Sequence, residues 1–468
     1  MRIAVIGGLA AGPAAAAEAS RLGADVVLFE QSPHVSVGAC EMPYYVGRTL
    51  RPGATLEVLT PEALATKKGV EVHVRHRVTA LDAASGRLTV DALDYGSTRE
   101  ERVDRVILAT GARARRLGVP GEDAAGVFTL RQLEDAEALR TWLDVEDVRH
   151  VVVAGGGYIG LEIAEAVCAR GLRASILDPG GRVLPTGFEA SVTVQMQEAV
   201  RGSGVAVRGE RVTGVRTDAS GRVAAVTTDR GEVVGCQALV VAVGIEPRTE
   251  LARAAGLAIG GSGGIRTDAG MRTSTRTVWA CGDAAEVLRP VDGRRLVWPL
   301  APTGRQTARV AARNACGGQA TFAGVTGAVG VRAFGVEAAA VGVTEPEARA
   351  AGLDAVCVQV RALSRVGSMP GAVPLDVRLV AERGSGRILG GQLVGREGAI
   401  LRADVLVPLV RLGATAHDLA EDLDLIYTPP VAPAVDPLRR CAEHLVRALD
   451  AAGGRSRGAG ARVGRRAR

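Results

Sequence analysis

The sequence has no paired cysteines. Its seven (Cys40, Cys168, Cys236, Cys281, Cys316, Cys357 and Cys441) are odd in number, scattered, and never in a CxxC pattern. That argues against a disulfide framework and against a zinc site, so reduced thiols and no metal are expected. No run of 18 or more apolar residues occurs, so no membrane span is expected. No charged leader with a cleavage site precedes MRIAVIGG, which opens directly on a strand pattern, and a cytoplasmic location is the expectation. Acid is missing from residues 455–468, whose six arginines equal the whole net charge of +6. The remainder is close to neutral, so nucleic acid is not expected as a partner. The tail itself has almost no large apolar residues and is expected to be disordered.

What is present is ample apolar content, 47% of 468 residues, in a chain too long for one core; two or three domains are expected. IAVIGG reads as a short buried strand entering a glycine turn. LAAGPAAAAEASRLG has the small residues of a helix packed closely on a sheet, and ADVVLFE is a second strand. Gly7, Gly8 and Gly12 permit a tight turn and let backbone N–H groups approach a pyrophosphate, while Glu30 ends the second strand where a ribose hydroxyl needs an acceptor. Leu9 occupies the place of the middle glycine of GxGxxG, which weakens this copy taken alone.

The unit recurs. HVVVAGGGYIGLEIAEAVCARGLRASILD supplies a strand, then Gly155, Gly157 and Gly160, a helix, and a strand ending in Asp178. First glycine and acid stand 23 residues apart in both copies, Gly7 to Glu30 and Gly155 to Asp178. Two dinucleotide sites are therefore expected. Each copy is followed by a strand ending in a small-residue turn, at Gly111 and at Gly244, and a further strand leads into Gly282 and Asp283. An aspartate there suits the ribityl or phosphate end of a flavin, or caps the next helix. Short alternating strands are expected between Val183 and Gly235, and a helix opening at Pro302 or Thr303. From about Thr321 strands precede helices, which points to a separate α+β domain.

One cysteine has a context of its own. SVGACEMPYY places Cys40 shortly after the first nucleotide unit, and Pro43 at an early helical position sets the thiol at a helix N-terminus. A redox thiol works as the thiolate, so a lowered pKa is expected for Cys40. The absent CxxC makes it a single thiol.

The combination of VIGGLAAG, VVLFE, SVGACEMPYYVG, VILATGA, GGGYIGLEIAE, ACGDAAE and DLDLIYTPPVAP resembles the single-cysteine flavoprotein disulfide reductases, from about Arg2 to Ala442. The group includes coenzyme A disulfide reductase, water-forming NADH oxidase, NADH peroxidase and persulfide reductase. The resemblance implies an α/β protein with two nested Rossmann-like dinucleotide-binding domains and a C-terminal α+β dimerisation domain. It implies FAD-binding parts over residues 1–147 and 271–320, an NAD(P)H domain over 148–270, the dimerisation domain over 321–446, and a basic tail over 447–468. It implies FAD at Gly7, Gly8, Gly12, Glu30, Gly111, Gly282 and Asp283, and NADH or NADPH at Gly155, Gly157, Gly160 and Asp178. Cys40 matches the family's redox cysteine, and Tyr427 a tyrosine that reaches the neighbouring subunit's thiol in a homodimer.

Within that group, Ala10 and Ala11 stand where NADH peroxidases carry a histidine, which disfavours peroxidase. Only a short arginine tail follows residue 450, so no fused sulfurtransferase is expected. Arg21, Arg48, Lys67 and Lys68 are the basic residues available to hold coenzyme A phosphates, and Ser368 and Met369 replace a paired tyrosine ahead of the Pro370–Gly371 turn. The expected function is reduction of a low-molecular-weight disulfide, coenzyme A disulfide first among the candidates. An oxygen-reducing oxidase cycling Cys40 through a sulfenic acid and an electron carrier for a protein partner are the alternatives. Asp178 favours NADH.

Overall fold

The computed structural model describes residues 1–51, 53–145 and 147–452. The chain forms two compact units. The first holds residues 1–186, 196–325 and 332–334, and the second holds 187–195, 326–331 and the chain from Gly335.

The first unit begins with β1 (Arg2–Ile6), α1 (Ala11–Arg21), β2 (Asp25–Phe29), a short α2 (Met42–Val46), β3 (Glu71–His73) and β4 (Arg105–Leu108). Ile3, Ala4 and Val5 are fully buried, and so are Val27 and Leu28. Strands covered on both faces need such continuous apolar runs. The chain then contributes β5 (Val127–Phe128) to a second sheet, followed by β6 (His150–Ala154), α3 (Tyr158–Ala169), β7 (Arg173–Leu177), β8 (Ala206–Arg208) and β9 (Ala238–Val241). It returns to the first sheet with β10 (Val278–Ala280) and closes with α4 (Ala301–Ala315). Both sheets are parallel with the same plan. The first runs β10-β4-β1-β2-β3, the second β5-β9-β6-β7-β8. The first sheet takes its outer strand β10 from beyond the whole of the second sheet's sequence, which is the nesting expected.

Here two boundaries and one element differ from expectation. The second sheet starts at Val127, well before residue 148, because Leu239 and Val240 pair with Val127 and Phe128. Gly187–Gln195, expected within the second nucleotide domain, belongs to the second unit, where Gln195 Nε2 donates to Asp376 Oδ2 at 2.6 Å and Gln392 Oε1 accepts from Glu189 N at 2.8 Å. Within the stretch expected to be short strands, Val194–Gly202 is a helix that buries Met196 and Val200, one turn apart.

The second unit is built on an antiparallel sheet. Its strands are β11 (Val329–Ala333, whose last two residues are counted with the first unit), β12 (Val336–Gly342), β13 (Ala355–Leu363), β14 (Pro374–Glu382) and β15 (Ile388–Gly395), ordered β11-β12-β15-β14-β13. α5 (Ala399–Leu412) packs on β12 and β15, and α6 (Pro437–Ala452) on β13 and β14. The core is Leu375, Val377, Leu379, Ile388 and Leu393, all fully buried. α6 runs past the boundary expected at 446, so residues 447–452 are helix and not tail. Residues 453–468, where most of the arginine tail falls, lie outside the described residues.

Candidate active site

The two glycine turns are built alike. Gly7 and Gly155 hold φ of +105° and +106°, in the region that favours glycine. A Cβ on Gly7 would lie 2.2 Å from the Ala109 carbonyl oxygen, and one on Gly155 2.4 Å from that of Ala242. A Cβ on Gly12 would lie 1.8 Å from Gly7 O, and one on Gly160 2.0 Å from Gly155 O. Each helix can therefore press on its turn only because both positions are glycine. The acids close the comparison. Glu30 accepts from Gly8 N at 2.6 Å and Ser32 N at 2.7 Å; Asp178 accepts from Gly156 N at 3.0 Å and Gly180 N at 2.9 Å. Both carboxylates are buried and both hold the turn to the end of the neighbouring strand. A Cβ on Gly157 would meet nothing within 4 Å, so its counterpart Leu9 is no obstacle to the first turn.

A cavity of about 1200 Å³ opens above the first turn, larger than most small-molecule sites. Gly7, Gly8, Glu30, Cys40, Gly111, Gly282 and Asp283 line it. Gly12 does not, and acts through the close contact with Gly7. Gly282 (φ +67°) sits where a Cβ would come 2.8 Å from Ala11 Cβ, so the backbone passes close to α1, and its N–H donates to Thr307 Oγ1 at 3.1 Å. Arg131, which the sequence reading missed, pairs with Asp283 and lines the same cavity. Nothing local marks it, since the two residues are 152 positions apart.

Cys40 lies on a single turn of 3-10 helix, Ala39–Glu41, that runs directly into α2, with Pro43 in the first turn. Its place ahead of a helix is the one expected, but the expected lowering of its pKa is not found. Burial pushes the thiol up, the carboxylates of Glu162, Asp283 and Glu41 add to this, and only Arg131 opposes them. Glu162 comes from α3, which packs on α2. Tyr44 OH donates to Glu162 Oε1 at 3.2 Å. Burial pushes Glu162 up to about 7, and burial together with Glu162 pushes Tyr44 up to about 12.

Basic side chains line the same cavity: Arg21, Lys67 and Lys68, joined by Arg305 and Arg309 from α4. The last two were not singled out in the sequence, although their i,i+4 spacing in a helix puts them on one face. Arg21 is paired with Glu18 at 3.0 Å, whereas no carboxylate of the described residues pairs with Lys67, Lys68, Arg305 or Arg309. Arg48 does not join them; it pairs with Asp144 at 2.6 Å beside Arg170. Tyr427 lies in the second unit, 53% exposed, and is not among the residues lining the cavity. All seven cysteines are free thiols. Among the described residues no helix is long and apolar enough to cross a membrane.

Residues 1–315 match the family described as pyridine nucleotide-disulphide oxidoreductase, and residues 330–438 match that family's dimerisation domain. The chain belongs to the pyridine nucleotide-disulphide oxidoreductases. It is 34% identical to the NAD(P)H coenzyme A polysulfide/persulfide reductase of Pyrococcus horikoshii, over 93% of this chain and 96% of that protein. It is 27% identical to the coenzyme A disulfide reductase of Staphylococcus aureus, over 92% of this chain and 96% of that one. Among solved structures, an NAD-dependent persulfide reductase from A. fulgidus superposes with a TM-score of 0.92 at 33% identity, covering 97% of this chain and 84% of that chain. As a member of this oxidoreductase family, the chain is an FAD-dependent enzyme that takes its electrons from a nicotinamide nucleotide and carries the family's dimerisation domain.

Proposed function

We propose that this oxidoreductase reduces a sulfur–sulfur bond carried by coenzyme A, the disulfide as leading substrate, with Cys40 as the attacking group. The observation that carries the reading is one shared wall. Cys40 opens on the cavity that also contains the Gly7–Glu30–Asp283 cradle and the basic side chains Lys67, Lys68, Arg305 and Arg309. The last four suit the phosphates of a nucleotide-bearing thiol.

FAD fits the first cradle, because the space a Cβ would fill at Gly7 and Gly282 is closed to side chains and the buried Glu30 sits beside the turn. Gly7, Gly8, Gly12, Glu30, Gly111, Gly282 and Asp283 would hold it, with Arg131 keeping Asp283 in place. Gly155, Gly157, Gly160 and Asp178 would hold the nicotinamide nucleotide. FAD, when bound, passes an electron pair from reduced nicotinamide toward sulfur. The Asp178 side chain at the end of β7 opposes a 2′-phosphate, and the Arg182 guanidinium donates to the Leu184 and Pro185 carbonyls at 3.2 and 2.9 Å. NADH is therefore the preferred reductant.

The chain's own part is the sulfur chemistry. The Cys40 thiolate attacks one sulfur of the disulfide, the S–S bond breaks, and one coenzyme A thiol leaves as a mixed disulfide forms on Cys40. Over the cycle one disulfide, one NADH and one proton give two thiols and NAD⁺. The enzyme works as a cytoplasmic homodimer, in which Tyr427 serves the neighbouring subunit's thiol. Coenzyme A persulfide is the second reading, favoured by the P. horikoshii relative and by the A. fulgidus structure; the same attack by Cys40 applies to it.

The test is NADH consumption for wild type and Cys40→Ser, measured without oxygen for coenzyme A disulfide, coenzyme A persulfide and cystine in turn, and separately with oxygen as the acceptor. Turnover with the coenzyme A compounds that vanishes in the serine variant supports the reading. Undiminished turnover in that variant removes Cys40 from the mechanism, and NADH consumption only with oxygen reassigns the protein as an oxidase.

A further inference from the structure

One cation beside the first glycine turn has no partner. Arg248 lies beyond β9, and the segment that leads to it, Ile245–Pro247, pairs antiparallel with Ala112–Ala114, Pro247 opposite Ala112. That pairing brings Arg248 to the turn after β4. Its backbone N–H donates to the Gly111 carbonyl at 2.9 Å, and its carbonyl accepts from Thr110 Oγ1 at 2.6 Å. The preceding residue of the same turn, Ala109, is the one whose carbonyl oxygen closes on Gly7. Arg248 is therefore fastened to the immediate neighbour of the glycine turn, and it lines the large cavity together with Gly7, Gly8 and Gly111.

Its side chain is partly buried, and among the described residues no hydrogen bond or ion pair satisfies the guanidinium. The acids of this part of the cavity are already taken. Glu30 accepts from two backbone N–H groups, Asp283 pairs with Arg131, and Glu250 pairs with Arg113. Burial lowers the Arg248 pKa, which Glu30 opposes. A guanidinium taken out of water without an anion is costly, so the position calls for one. The anion proposed for these turns is a pyrophosphate, whose charge exceeds the roughly half unit that a helix N-terminus offers. Arg131 is already neutralised by Asp283.

We propose that Arg248 binds FAD directly, donating to its pyrophosphate and completing a cradle whose other parts are the Gly7 and Gly111 turns. The side chain brings a full charge and a planar fork of donors, which suits two phosphate oxygens at once. Without FAD the guanidinium is left unneutralised, and FAD satisfies it, so Arg248 ties the hold on FAD to ionic strength. The inference rests on FAD occupying the first cradle and is independent of which disulfide is reduced.

The experiment dilutes holoenzyme into flavin-free buffer and follows FAD release by the rise in flavin fluorescence. It is run at low salt and at about 1 M NaCl, where charges are screened beyond a few ångströms. Arg248→Met, which keeps the apolar stem, is expected to release FAD about tenfold faster than wild type at low salt, the scale of one hydrogen bond to a charged group. At high salt the gap narrows. Arg248→Lys, which keeps the charge but not the fork, falls between the two. A release rate in Arg248→Met equal to wild type at low salt overturns the proposal, and with a raised KM for coenzyme A disulfide it assigns Arg248 to the substrate's phosphates instead. A gap as wide at high salt as at low, or Arg248→Lys no slower than Arg248→Met, also overturns it, since packing and not charge would then hold FAD. If Arg248→Met does not fold, Arg248→Gln decides by the same criterion. Loss of FAD from Gly12→Ala tests the cradle itself and Cys40→Ser the sulfur chemistry, so each idea fails separately.

Discussion

Replacing Gly12 by alanine sets two effects of known size against each other. Gly12 is in the first turn of α1, and alanine there gains about 1 kcal/mol of helix propensity. Against this, the new methyl would stand 1.8 Å from the Gly7 carbonyl oxygen, a backbone atom that cannot swing aside as a side chain would. The turn or the helix must move by more than 1 Å to restore an ordinary contact of about 3.5 Å. Overpacking of this kind costs about 1–3 kcal/mol, so the clash wins. Because the strain falls on the turn proposed to face the flavin pyrophosphate, it weakens FAD binding by about tenfold or more, since 1.4 kcal/mol is a factor of ten. Gly160→Ala, with its Cβ 2.0 Å from Gly155 O, is expected to do the same to NADH while FAD stays bound. Gly157→Ala is the contrast, since its Cβ would meet nothing within 4 Å. The assay is FAD content by absorbance after purification, together with the temperature at which bound FAD is released. Gly12→Ala should lose FAD and release the remainder at lower temperature, while Gly157→Ala matches wild type on both. Unchanged FAD content and release temperature in Gly12→Ala would refute the steric argument, as would equal damage from Gly157→Ala.

Two further outcomes follow from the cavity and the second turn. Asp178→Ala should narrow the gap between NADH and NADPH, raising kcat/KM for NADPH about tenfold by removing a charge opposed to the 2′-phosphate; a ratio equal to wild type would show that Asp178 does not set it. Arg305→Ala combined with Arg309→Ala should raise KM for coenzyme A disulfide about tenfold while leaving cystine reduction unchanged, since cystine lacks the phosphates these arginines are proposed to hold. Equal loss on both substrates would place the arginines in the fold and not in recognition.

Much of the fold was legible because it is written locally. Strand, glycine turn, helix, strand and acid fall within 29 residues in each copy, Arg2–Glu30 and His150–Asp178, and the period from Gly7 to Glu30 repeats from Gly155 to Asp178. The two turns then prove alike down to which backbone N–H each acid accepts. The strands at Ala355–Leu363, Pro374–Glu382 and Ile388–Gly395 were legible for the same reason. What escaped was carried by distant partners or by weak signals. β5 is two residues long and owes its place to β9, over 100 residues on. The Val194–Gly202 helix was hidden by valines at both its ends, which read as strand, although Met196 and Val200 face one core. The direction of the Cys40 pKa is set first by burial and then by Glu162 and Asp283, neither of which is near it in sequence. A helix N-terminus is visible in SVGACEMPYY; the acids that fold against it are not.

The central claim is that Cys40 is the sulfur that takes the substrate. Its most direct test is the mass of the Cys40 peptide after the reduced enzyme is mixed with coenzyme A disulfide without oxygen and quenched in acid. The account predicts an adduct of one coenzyme A thiol on Cys40, removable by a reducing agent, and none on Cys236, Cys281 or Cys441, which are buried. Two coenzyme A thiols produced with Cys40 unmodified at every quench time would contradict it.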